Sequence, residues 1–150
     1  MSYHTDIVQA TLRNPFFRRE LFTTERTQVV VMSVEPGDDI GLETHHLDQV
    51  LVFVAGEGES YLNGHRGTIG PGSLVVVPAG TEHNFINTGS EPLKLYTVYA
   101  PPEHEPGTVH RNKAEAEIAE ALEHGLAPKA AVTPMRKAGL TVGSLIGVPQ

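Results

Sequence analysis

The chain has 150 residues, of which 39% are hydrophobic, and this length suits one domain that buries about 68–70% of its unfolded surface. It contains no Cys, which excludes disulfide bonds and thiolate metal sites, and its net charge of −7 argues against nucleic acid as a partner. No apolar run is long enough to span a membrane and the first residues lack the layout of a signal peptide, so we expect a cytoplasmic protein.

The first 28 residues show no clear hydrophobic period and are predicted to form an N-terminal arm. Within this arm, residues 6–13 are the candidate for a short helix. A buried strand is predicted for residues 29–34 from their run of β-branched side chains. Further strands are predicted for residues 40–45, 49–55, 57–62, 65–69, 73–77, 83–87 and 93–99.

Turn signals separate these predicted strands. The dipeptide Asn63-Gly64 is the strongest short signal for a hairpin and predicts a type I′ turn. The chain has 15 Gly and 11 Pro, which suits many turns. Short strands at regular spacing, with turns between them, indicate a sandwich or a barrel.

The predicted strand over residues 49–55 is apolar on both faces, with valines at every second position from Val50 to Val54. A strand of this kind is covered on both faces. We expect the other face, which carries Gln49, Leu51 and Phe53, to line the interior. The valine face is expected to be covered by the chain's own extension or by a second subunit, and we expect a homodimer.

One helix is predicted in the last third of the chain. Asn112 suits an N-cap, and Glu115 follows three residues later as in a capping box. The helix is therefore expected over residues 113–124, with Gly125 as the C-terminal stop. Its acidic side chains are expected to be solvated.

The segments on either side of this helix allow more than one interpretation. Glu103, His104, Glu105 and His110 are typical of a solvated loop, although they could also form an additional site or a lid over a barrel. Residues 126–150 are sparsely charged, and either pack on the rest of the chain or on a neighbour, or are disordered.

Two motifs of fixed spacing stand out. Residues 72–87 match the pattern G-x5-P-x-G-x2-H-x3-N at every fixed position. Residues 37–56 match the pattern G-x5-H-x-H-x3-E-x6-G, except that Glu43 stands for the first His and Gln49 for the Glu. These motifs resemble the two signatures of the cupin superfamily, and the resemblance covers roughly residues 29–101.

The resemblance implies a fold and a division of the chain. Cupins are all-β proteins built as a double-stranded β-helix, or jelly-roll barrel, and this chain is similar to the single-domain, RmlC-like type. We therefore expect an arm over residues 1–28 and a barrel over residues 29–101. Residues 102–150 would supply a loop, an α-helix and a tail packed on the barrel or on a partner.

The resemblance also implies a metal site, because the metal ligands of cupins come from these two motifs. The corresponding residues here are Glu43, His45, Gln49 and His83. Strand geometry should turn the first three to one side and His46 to the other. Nitrogen and oxygen donors without sulfur suit a divalent Fe, Mn, Ni or Zn ion. Gln49 is the weakest donor, and either ligates weakly or holds a bound water or substrate.

Three functions are compatible with these residues, since this fold does not determine function. The favoured one is a metal-dependent enzyme, a dioxygenase or an isomerase, acting on a small polar organic substrate, with Glu43 and Gln49 as candidate catalytic residues that orient it. The second is a module that binds or senses a small ligand without chemistry. The third is a metal-free, epimerase-type cupin with a His general base and an acidic partner.

Overall fold

A computed structural model describes residues 1–123 and Gly125. These residues form two helices and nine strands, and neither helix of this described part is long and apolar enough to cross a membrane. In chain order the elements are α1 (Ile7–Arg13), β1 (Arg18–Thr23), β2 (Gln28–Val34), β3 (Asp48–Ala55), β4 (Gly58–Leu62), β5 (His65–Ile69), β6 (Leu74–Val77), β7 (His83–Asn87), β8 (Leu93–Ala100), β9 (Val109–His110) and α2 (Lys113–Glu123).

The strands form two antiparallel sheets. The larger has the order β6-β3-β8-β2-β1-β9 and the smaller has the order β5-β4-β7. Their inner faces share one hydrophobic core, in which the rings of Phe53 on β3 and Phe85 on β7 lie 5.5 Å apart. The predicted all-β jelly-roll barrel with a C-terminal helix is therefore confirmed.

The predicted hairpin turn at Asn63-Gly64 is confirmed. Asn63 and Gly64 connect β4 to β5 with positive φ angles of 47° and 87°, as a type I′ turn requires. The valine face and the inner face of β3 also alternate as predicted, with Gln49, Leu51 and Phe53 buried and the valines between them half-buried.

The prediction of a continuous strand over residues 40–45 is wrong. This part of the chain makes only isolated bridges, one of which pairs Glu43 with His83. The cause is Gly41, whose φ of 118° interrupts the extended backbone. Its N–H donates to the side chain of Asn84 at 2.9 Å instead of joining a ladder.

The N-terminal arm contains more regular structure than its sequence suggests. The predicted short helix is confirmed as α1, and Asp6 caps it by accepting a hydrogen bond from the N–H of Gln9 at 3.1 Å. The following β1 joins the larger sheet between β2 and β9. A bulge between Glu20 and Phe22 interrupts the two-residue period of β1, which explains why its sequence shows no strand pattern.

The outer face of the larger sheet is only partly covered. Helix α1 packs on β2, β3 and β8, and Lys94 on that face of β8 donates to the carbonyl of Asn14 at 2.7 Å. The chain's own extension therefore covers part of the valine face. On the neighbouring β6, Leu74 and Val76 are 61% and 53% exposed. A second subunit against this edge stays a prediction.

Helix α2 begins as predicted. Oδ1 of Asn112 accepts a hydrogen bond from the N–H of Glu115 at 2.9 Å, which confirms the N-cap. The Glu115 carboxylate, however, accepts from the N–H of Arg111 at 2.8 Å, so the reciprocal half of the capping box is displaced by one residue. The predicted last helical residue, His124, and the tail over residues 126–150 lie outside the described residues.

A buried ion cluster fixes the rotation of α2 against the barrel. Lys113 in its first turn is buried and pairs with Asp38 at 3.3 Å and with Asp39. Residues at positions i, i+3 and i+7 share a helix face, so this anchor turns Ala116 and Glu120 towards the barrel. Glu120 is half-buried there, and the expectation that the acidic face is solvated is therefore wrong for this residue.

Replacement of Lys113 by Met tests the anchor. We expect a loss of about 3–5 kcal/mol in the free energy of unfolding, because the variant removes the ammonium that pairs with the buried carboxylate of Asp38 and with Asp39. Urea unfolding followed by circular dichroism measures this loss. The matched control is Arg111→Met, which removes an exposed pair with Glu115 and should change stability little. Equal small effects in both variants would contradict the anchoring role.

Candidate metal centre

Side chains of the two motifs meet at the start of β7. Glu43 and His83 form an antiparallel bridge with both backbone hydrogen bonds at 2.9 Å. His45 lies on the same side of the chain as Glu43, whereas Thr44 and His46 are exposed, which agrees with the predicted alternation. The donor atoms of Glu43, His45 and His83 all lie within 4.8 Å of one another.

His83 has the tautomer that suits a metal ligand. Its Nδ1 lies 2.8 Å from the carbonyl oxygen of Thr81, which can only accept, so Nδ1 carries the proton. The other ring nitrogen, Nε2, then offers a lone pair. Burial lowers the pKa of His83, and this keeps the ring in its neutral, ligating form.

His45 lies between two carboxylates. Its Nε2 is 3.2 Å from Oε1 of Glu43, and its Nδ1 is 3.6 Å from Oε2 of Glu103. Burial acts to lower the pKa of His45, but the hydrogen bond and the charge of Glu43 raise it above its usual value. A carboxylate behind the far nitrogen of a ligating His orients the ring, so Glu103 is placed to support His45 in this way.

Glu43 shares its surroundings with Glu120 from α2. Burial acts to raise the pKa of Glu43, but the hydrogen bond and the charge of His45 hold it well below its usual range. Burial raises the pKa of Glu120, and the negative charge of Glu43 raises it further. Glu43 therefore stays ionised, while Glu120 is the carboxyl of this pair that takes up a proton more readily.

Gln49 is buried and held by a neighbouring hydroxyl. Its Nε2 donates to Oγ1 of Thr97 at 3.1 Å, and that hydroxyl donates in turn to the carbonyl of Val50 at 2.9 Å. Its Oε1 is buried and has no hydrogen-bond partner among the described residues. Tyr99, its register partner on β8, has its ring 6.2 Å from that of His45. The orphaned oxygen suits a bound water, substrate or ion, and the ligand role of Gln49 stays a prediction.

The inner wall of the centre is apolar. Leu51, Phe53 and Phe85 are fully buried, and the ring of Phe85 lies 6.1 Å from that of His83. Such a wall lowers the local dielectric constant and strengthens every charge interaction at the centre.

Ionisable side chains from outside the two motifs complete the site. The alternative of an additional site after β8 covers Glu103 and His104, but the sequence motifs predict neither Arg18 nor Glu120. Arg18 comes from β1, Glu120 from α2, and Glu103 and His104 from the segment after β8. The expectation of a solvated loop is wrong for His104, which is half-buried with its ring 5.3 Å from that of Tyr99. Arg18 directly follows two Phe residues, and this is a signal of burial that the motif search did not use.

The donor set fits a divalent first-row metal ion. Two imidazole nitrogens and one carboxylate are ligands for Fe, Mn, Ni or Zn, and their donor atoms converge in a site with a preset His83 tautomer. Glu43, His45 and His83 would hold the ion. Three protein ligands leave coordination positions for water or substrate.

Comparisons with known proteins support the fold and the family. A family model described as a cupin domain matches residues 30–99. The Bacillus subtilis protein YrkC is 48% identical over 123 residues, which cover 77% of this chain and 66% of YrkC. The crystal structure of BH2720 from Bacillus halodurans superposes with a TM-score of 0.76 at 43% identity, covering 77% of this chain and 93% of that chain. An RmlC-like cupin from Shewanella frigidimarina shares the fold, with a TM-score of 0.54, 20% identity and coverage of 58% and 77%.

The burial of His104 makes stability depend on pH. The pKa of His104 falls from a usual value of 6.5 to about 3, mainly because the ring is buried and also because the positive charge of Arg18 is close. Below pH 6.5 the His104 imidazole is protonated in the unfolded chain but stays neutral in the folded chain. The free energy of unfolding therefore falls as the pH falls towards 3. His104→Gln should therefore lose about 2 kcal/mol less stability than the parent between pH 7 and pH 5.

Denaturant unfolding at both pH values measures this difference. The matched control is His65→Gln, since His65 is exposed on β5. An unchanged pH dependence in His104→Gln would contradict the burial of a neutral imidazole.

Proposed function

Because the chain belongs to the cupin superfamily, we propose that it is a metal-dependent enzyme acting on a small polar organic substrate, as an oxidoreductase of the dioxygenase type or as an isomerase. One observation carries this proposal, namely the convergence of the donor atoms of Glu43, His45 and His83 within 4.8 Å. A set of two His and one carboxylate leaves positions open for substrate, which a purely structural ion does not need.

The side chains around the centre have separate tasks in this proposal. A divalent ion would supply Lewis acidity at a substrate oxygen. Leu51, Phe53 and Phe85 exclude bulk water from one side and so strengthen the electrostatic effect on a bound substrate.

Polar groups would orient the substrate and move protons. Gln49 offers a buried, unpaired Oε1 as an acceptor for a substrate hydroxyl. Glu120 offers a carboxyl beside Glu43 that can carry a proton. Glu43 and Gln49 are thus the candidate catalytic residues of the motifs, and Glu120 is a further one from α2.

A second candidate function is a metal-free, epimerase-type reaction. It is favoured by the position of His45 between the carboxylates of Glu43 at 3.2 Å and Glu103 at 3.6 Å. An imidazole paired with a carboxylate is an arrangement for proton transfer. We favour the metal-dependent function, because it also gives a role to the preset tautomer of His83 and to the orphaned oxygen of Gln49.

Metal binding tests the proposed centre. The full chain, purified without chelator and reconstituted, should bind one divalent ion per chain, measured by elemental analysis. His83→Ala should lower the affinity by more than about 100-fold in a competition with a fluorescent chelator, since this exceeds the usual cost of losing a residue that only orients a ligand. His46→Ala is the matched control and should bind the ion as the parent does.

Two outcomes would count against this centre. They are a parent protein that takes up none of Fe, Mn, Ni and Zn, and a loss of affinity in His46→Ala as large as in His83→Ala. Gln49→Ala should lose much less affinity than His83→Ala, and equal losses would make Gln49 a full ligand.

Catalysis needs its own test. A panel of small hydroxy, keto and phenolic compounds is incubated with each metal form, with and without oxygen, and products are measured by mass spectrometry. We expect turnover of at least one compound, lost in His83→Ala and on chelation. Tight binding without conversion in every metal form would support a binding module instead. Turnover that survives chelation would support the metal-free reaction.

A further inference from the structure

Arg18 is a buried cation without an ion pair. It begins β1 and is 3% exposed. Its Nη1 donates to Nδ1 of His110 at 3.1 Å, and it forms no salt bridge with an Asp or Glu of the described residues. Its Nε–H is buried and has no hydrogen-bond partner in that part of the chain. Arg is almost never buried unless it is paired, so this guanidinium has a donor available for a bound anion.

Arg18 borders a cavity that reaches one residue of the metal centre. Arg18 lines a cavity of about 210 Å³ together with Glu43 and Glu120. This volume is enough for several waters or for one small organic molecule. Glu43 is also one of the three metal ligands proposed above. A molecule in this cavity would therefore contact both Arg18 and Glu43, one of the three proposed metal ligands.

Two of the nearby carboxylates, Glu43 and Glu103, have another partner. Arg18 interacts electrostatically with Glu43, Glu103 and Glu120 without an ion pair to any of them. Glu43 and Glu103 flank His45 on its two ring nitrogens. A divalent ion on Glu43 would neutralise that carboxylate and leave Arg18 with less counter-charge, which favours an incoming anion.

We propose that Arg18 binds the carboxylate of the substrate, and that the substrate is a small organic acid with a polar group that reaches the metal centre. This inference rests on the proposed function, since it places the substrate at the same metal. The Nε edge of a guanidinium presents two N–H donors side by side, which match the two oxygens of a carboxylate. Arg18 is thus a specificity-determining residue.

A carboxylate fits this place better than a phosphate does. The other cation in the cavity wall is Lys113, and its ammonium is already paired with Asp38 and Asp39. One available guanidinium edge balances a monoanion, whereas a phosphate dianion would leave a charge uncompensated.

Calorimetric titration of the zinc-loaded full chain tests the inference. The probes are lactate, its neutral isostere lactamide, and inorganic phosphate. Lactate should bind more tightly than either of the others. Arg18→Gln should weaken lactate binding by about 10- to 100-fold, the range for a lost hydrogen bond between charged groups. Arg18→Lys keeps the charge but not the paired donors, and should lie between the two. Arg19→Gln, at the exposed neighbour, is the matched control and should bind lactate as the parent does.

A second readout does not depend on any variant folding. In the ¹⁵N-labelled parent, lactate should shift the Nε–H resonance of Arg18, and lactamide should not. Lactate binding of equal strength in Arg18→Gln and the parent would overturn the inference, as would a zinc-loaded parent that binds no lactate or prefers phosphate. Zinc content is measured in every sample. A parent protein that takes up no zinc would contradict the proposed function. A zinc-loaded parent that binds no lactate would contradict only the proposal that Arg18 binds a substrate carboxylate.

Discussion

The backbone pairing of Glu43 with His83 is the constraint on which the candidate site depends. Two hydrogen bonds of 2.9 Å join residues that lie far apart in the sequence and belong to different motifs. Because the pairing is antiparallel and local, it sets which side chains turn inwards without needing a long strand. The partner strand β7 is held by β4 and by Asn87, whose amide donates to the carbonyls of Val34 and Glu91 at 2.8 Å.

Charge balance is the second constraint, and it links the barrel to the chain segments around it. The inner wall is apolar, so the ionisable groups collect elsewhere around the centre, where Arg18 comes from β1, Glu120 from α2 and Glu103 from the segment after β8. A proton and a metal ion compete for the same lone pairs between His45 and Glu43, so metal binding releases protons. The ion cluster of Lys113 holds α2 in the rotation that brings Glu120 to this place.

Local sequence patterns predicted most of the barrel strands and the motif residues of the candidate site. They did not predict the side chains that reach this site from β1 and α2. Strand alternation and turn residues are set by near neighbours, so the hairpin at Asn63 and the inner face of β3 could be read from the sequence. The motif register likewise separated His45 from His46. Arg18 and Glu120 could not be found in this way, because a bulge hides the period of β1 and because a tertiary ion pair fixes the rotation of α2.

The central claim is that Glu43, His45 and His83 hold one divalent ion inside the barrel. A crystal structure of the protein reconstituted with Zn(II), with anomalous diffraction data, tests it most directly. The account predicts one anomalous peak per chain within bonding distance of Glu43, His45 and His83, about 2.0–2.2 Å for nitrogen and oxygen donors. A barrel without an anomalous peak at these residues, or a peak bound to His46, would contradict it.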